Sequence, residues 1–76
     1  MEKIELRRGR FGWEVVVGES VMSSTAELEW AAFDALLLAE IHGSSSVKLG
    51  EGVPADALDR GRRVREHWEG RTEQPG

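Results

Sequence analysis

The sequence predicts a small α+β domain: a β-hairpin, with room for a short third strand, packed on a central α-helix beside a second, C-terminal α-helix. Three observations predict it. Residues 3–8 alternate apolar Ile4 and Leu6 with charged Lys3, Glu5 and Arg7, the period of a half-buried strand. Residues 24–42 carry apolar side chains at spacings of three and four, the period of a helix. Residues 54–70 repeat that period in a thinner stripe of Ala57, Leu58, Gly61, Val64 and Trp68. A chain of 76 residues holds one domain. Residues 1–70 are read as that single α+β domain and residues 71–76 as a disordered polar tail.

Each element has its own local signals. The first strand ends at Arg8-Gly9-Arg10, a turn sequence. Residues 11–19 resume strand character, with Phe11, Trp13, Val15 and Val17 on one face and Glu14 and Val16 on the other. Two strands alone are marginal in water, so this apolar face needs the helix; Trp13 is expected against Trp30 or Phe33. Val21 and Met22 either lengthen the second strand or begin a third after a turn at 18–20.

The central helix opens with Ser24 and Glu27 at the spacing of a capping box. Gly43 is placed to end it in a left-handed conformation. Between these points the helix is apolar on two sides. Ala26, Trp30, Phe33, Leu37 and Ile41 form a bulky face, expected to receive the hairpin. Leu28, Ala32, Ala35 and Ala39 form a second arc of mostly small residues, with Leu36 between the two. The polar residues fall in narrow strips, Glu27 with Asp34 and Glu29 with Glu40. A helix apolar on two sides is covered on two sides. The C-terminal helix is one candidate to cover the alanine arc within the chain; because its own stripe is thin, a second copy of the chain is expected to meet what it leaves exposed. Leu28, Ala32, Ala35 and Ala39 are therefore the expected partner-binding residues of a homodimer. Trp30→Ala is expected to cost on the order of 3–5 kcal/mol through a cavity against the hairpin.

Beyond the helix, residues 47–49 are either a fragmentary edge strand or a loop. Pro54 marks the first turn of the second helix and Gly70 its end. Gly61 inside that helix costs about 1 kcal/mol relative to alanine, which is explained if it lies close against Ala32, Ala35 or Ala39.

Composition narrows the function. The chain has no cysteine and two histidines, His42 and His67, far apart in sequence. Thiolate chemistry is excluded and no metal site is expected. The segment 50–54 lacks the lysine and hydroxyl of a phosphate loop, so no nucleotide cofactor is expected either. The acidic pairs on the central helix lie seven and eleven residues apart with no nucleophile in the pattern, and the chain is read as a non-enzyme.

The formal net charge is −4, against the basic excess usual in nucleic-acid binders. Six acids and one base fall within residues 19–51. Basic residues cluster at both ends, as Arg7, Arg8 and Arg10 and as Arg62, Arg63 and Arg65. These six are the candidate site of the alternative reading, a small nucleic-acid-binding regulator. Residues 9–15 are similar to the basic–glycine–aromatic strand of RNA-recognition and cold-shock domains, over too short a stretch to assign the family. The scarcity of large apolar residues makes Phe11 and Trp13 core residues first. The preferred reading is a small cytoplasmic protein–protein interaction module, either a homo-oligomeric adaptor or an inhibitor acting by surface occupation. Its partners are itself and other proteins, with no membrane contact.

Overall fold

The alternation in the first strand sets the inside of the sheet. Ile4 and Leu6 are 1% and 0% exposed, and their strand, β1 (Ile4–Arg8), pairs antiparallel with β2 (Trp13–Val17). The computed structural model describes residues 3–44 and 46–72. A turn at Gly18-Glu19 leads from β2 into β3 (Ser20–Thr25), so Val21 and Met22 belong to a third strand of an antiparallel meander. The pairing of β2 with β3 shifts register between Val15 and Val16. Val15 and Val17 face the core; Val16, between them, faces the other side of the sheet, as does its partner Val21.

From β3 the chain enters α1 (Leu28–Ile41), returns through β4 (Val47–Leu49) and ends in α2 (Ala57–Thr72). β4 pairs parallel with β1, giving one mixed sheet in the order β3-β2-β1-β4. A parallel pairing needs a crossover of a dozen or more residues, and α1 supplies it. The result is the α+β fold expected from the sequence, with the short segment 47–49 as an edge strand.

The start of α1 differs from expectation. Ser24 and Thr25 pair with Glu14 and Trp13 as the last residues of β3, which removes Ser24 from the capping position. The helix begins after Glu27, whose side chain makes no capping bond. The other end is as expected. Gly43 takes a φ of 67°. The Ser44 N–H donates to the Ala39 carbonyl at 2.8 Å and the Gly43 N–H to the Glu40 carbonyl at 3.2 Å, the two bonds of a Schellman motif.

The two faces of α1 are inverted relative to the sequence reading. The buried side is the alanine arc: Leu28, Ala31, Ala32, Ala35 and Ala39 join Ile4, Leu6, Val15, Val17 and Ala57 in the core. Trp30 and Leu37 are 42% and 39% exposed. Small side chains let α1 approach both the sheet and a second helix, and a bulky face would hold both away. α2 packs along α1 at Gly61, which is buried directly over Ala32 and Phe33. The close approach expected of Gly61 is therefore present.

Two boundaries of α2 also shift. Pro54 accepts from the Ala57 N–H in a turn ahead of the helix, and the first helical bond runs from Arg60 to the Asp56 carbonyl. Gly70 does not end α2, which continues to Thr72. The Trp68 side chain and residues 73–76 of the expected tail lie outside the described residues.

With the outer face exposed, Trp30 becomes a poor centre for the fold. Trp30→Ala is expected to cost about 1–2 kcal/mol and Leu6→Ala about 2–5 kcal/mol. Urea midpoints compare them directly; a lower midpoint for Trp30→Ala would contradict this placement of α1.

Candidate interaction surface

The side of α1 turned away from the sheet carries Trp30, Phe33, Leu37 and Ile41, at spacings of three, four and four. Phe33 is half-buried, and its ring meets Trp30 edge-on with centroids 5.7 Å apart and planes at 64°. Such a pairing adds roughly 0.5–1.5 kcal/mol and holds both rings in one orientation. Ile41 is 68% exposed at the end of the strip. The result is an apolar ridge about three turns long.

Charged groups border the ridge, and most are engaged within the chain. On the α2 side, Arg60 lies 3.8 Å from Glu29, and Arg65 donates to Glu40 at 2.6 Å. On the β3 side, the Ser23 hydroxyl donates to Asp34 at 2.5 Å. Glu29, Asp34 and Glu40, from the acidic strips flanking the bulky face, thus join α1 to its neighbours. Exposed pairs of this kind contribute little to stability, but they reduce the unbalanced charge along the ridge.

The expected partner-binding residues lie elsewhere. Leu28, Ala32, Ala35 and Ala39 are 6%, 0%, 0% and 7% exposed within the single chain, so their surface is consumed by the sheet and α2. Their burial has a physical cause. Close approach to two neighbours favours small side chains, and the large ones are left outside. Gly61 carried that signal in the sequence; Ala31 and Leu38, which neither expected face included, now pack in or against the core.

The six arginines of the nucleic-acid reading fall into two places. Arg7, Arg8 and Arg10 surround the β1–β2 turn. Arg7 pairs with Glu14 at 3.2 Å, and the Arg8 guanidinium lies 5.5 Å from the Trp13 ring centroid. Phe11 stands 87% exposed in this turn, not in the core as expected. Gly12 of the turn abuts Thr25 and Ala26, just before α1 begins. Arg65 reaches Glu40 in the last turn of α1, so the second cluster lies toward the other end of the helix. Arg62 pairs with Asp59 at 2.9 Å, and Arg63 is exposed. The fold does not join the two clusters into one basic face.

Among the described residues, no group of three His, Cys, Asp or Glu side chains is arranged to hold a metal ion. No helix among them is long and apolar enough to cross a membrane. Comparison with protein-family models, curated protein sequences and solved structures returns no match.

Proposed function

We propose that this chain is a small, non-enzymatic protein–protein interaction module that self-associates through the outer face of α1. The observation that carries the reading is the exposure of Trp30, Leu37 and Ile41 along one face of a single helix. Large apolar side chains grouped on a surface mark an interaction site more often than scattered ones do. A twofold contact is the commonest way for a small domain to cover such a face, because each copy brings the same ridge. Rows at three- and four-residue spacing interdigitate when two helices cross. The pairing of Glu29 with Arg60 and of Glu40 with Arg65 lowers the like-charge repulsion that two acidic helices would otherwise meet.

The exposure of Phe11 between Arg10 and the Arg8–Trp13 pair favours a second reading, in which the hairpin turn stacks on a single-stranded nucleic acid. One experiment separates the two. Sedimentation velocity across a hundredfold concentration range is expected to show a monomer–dimer equilibrium for the parent chain and a monomer for Leu37→Glu. Both should keep the same far-ultraviolet circular dichroism. A parent that stays monomeric but sediments with an added oligonucleotide, losing it as salt rises, would replace the first reading with the second.

A further inference from the structure

The two edges of the sheet differ in length and chemistry. β4 is three residues long with exposed Lys48 at its centre, a short charged edge of the kind that discourages further pairing. β3 is six residues long and contains neither a charged residue nor a proline. Among the described residues no strand pairs with its outer side. Val21 and Met22 on this strand are 49% and 53% exposed. The register shift leaves Met22 without a partner on β2, and such a bulge increases the twist of an edge without closing it.

The flank of α1 above this edge is apolar. The bond from Ser23 to Asp34 fixes Asp34 on the β3 side of the helix. Trp30 stands four residues before Asp34, and Leu37 and Ile41 three and seven after it, in adjoining rows of the helix surface. The exposed ridge therefore faces out over the β3 edge, and strand edge and helix flank make one surface of two layers. An added peptide strand would cover the lower layer alone. A second copy of the chain brings a strand and a helix in the same arrangement and covers both. β3 carries no charge to repel its copy. α1 packs on β1, β2 and β3 and so lies near β2; across β3 and its copy, two such helices stand roughly 14 Å apart, three strand spacings. Helices in direct contact lie about 8–10 Å apart. Large side chains such as Trp30 and Leu37 fill the difference, and alanines would not. We propose, on the premise that the chain self-associates through α1, that β3 pairs antiparallel with β3 of a second copy. The two four-stranded sheets become one continuous sheet with both α1 helices on the same side. The twofold axis then runs perpendicular to the sheet, and one residue of β3 lies opposite its own copy.

The chain has no cysteine, so single-cysteine variants of the full chain locate that residue directly. Val21→Cys, Met22→Cys, Ser23→Cys and Ser24→Cys are each oxidised at a concentration where the parent sediments as a dimer. A disulfide-linked dimer is expected at one or two of these positions, where the pairing brings the two copies within bridging distance. None is expected for Lys48→Cys on the opposite edge. Met22→Lys should keep the parent's circular dichroism and weaken dimerisation by at least about tenfold, because each dimer loses two apolar side chains and gains like charges near the axis. A dimeric parent that Leu37→Glu dissociates, with Met22→Lys as dimeric as the parent and no crosslink in β3, would overturn the strand pairing and keep the helix contact. A crosslink for Lys48→Cys alone would overturn it in favour of the β4 edge. A parent monomeric across the concentration range would overturn both the helix contact and the strand pairing, leaving the β3 edge to an extended segment of another protein.

Discussion

Gly61→Val is expected to separate α2 from α1 and to leave the domain largely unfolded. A Cβ at this position would lie 2.7 Å from the Ala32 Cβ, 2.8 Å from the Ala32 carbonyl carbon and 2.9 Å from the Phe33 nitrogen. Two of these three atoms belong to the α1 backbone, which cannot swing aside as a flexible side chain would. α1 is itself fixed between the sheet and α2, with Ala31, Ala32 and Ala35 fully buried. Relief therefore requires the two helices to move apart, opening the core around Ala57. Overpacking typically costs 1–3 kcal/mol, and a branched side chain against backbone falls at the high end or beyond. The gain in helix propensity from removing a glycine, less than about 1 kcal/mol, does not offset that. Gly61→Ala meets the same contacts with one carbon and should be destabilised less. Urea denaturation followed by circular dichroism should rank the parent above the alanine variant and the alanine variant above the valine variant. A valine variant with the parent's midpoint would mean that the helices do not meet at this point.

How much of this arrangement can be read from the sequence depends on which physical signal each element carries. The strands are legible because period-two alternation has one structural meaning, and Ile4, Leu6, Val15 and Val17 all point inward as that alternation predicts. The end of α1 is legible because Gly43 does what few other residues can. The facing of α1 is harder to read. Its circumference is apolar nearly all round, so periodicity identifies the helix without saying which side is inside. Weighing the faces by side-chain size points the wrong way. The constraint is the distance between backbones, and a helix wedged against both a sheet and another helix must present its smallest residues to them. That constraint was written in α2, where Gly61 has a reason to exist only if the alanine arc lies beneath it. Phe11 lies outside the core for a different reason. The antiparallel pairing of β1 with β2 ends at Arg8 and Trp13, so the aromatic residue falls in the turn and outside the alternation that would have buried it. The candidate surface could therefore be found in the sequence as a set of residues, Trp30, Phe33, Leu37 and Ile41, but not as a surface.

Ala35→Glu and Leu37→Glu, two residues apart on the same helix, are expected to give opposite results. Ala35 is 0% exposed and belongs to the core with Leu6 and Val15. A carboxylate there would lose its hydration among aliphatic side chains, at an effective cost of several kcal/mol for an ion with no compensating charge. It would also have to displace neighbours to fit. A domain of this size has little stability in reserve, so Ala35→Glu should be unfolded without denaturant. Leu37 is 39% exposed on the outer ridge, where a glutamate can extend into water. Leu37→Glu should keep the parent's circular dichroism and a stability within about 0.5 kcal/mol, the usual range for surface substitutions, when both are measured as monomers at low concentration. At high concentration the parent should gain stability from association and the variant should not. The pair thus reports on two links at once: the folding of Ala35→Glu tests which face of α1 is inside, and the concentration dependence of Leu37→Glu tests what the other face does. A folded, soluble Ala35→Glu with the parent's midpoint would reverse the orientation of α1 and restore the alanine arc as the exposed face.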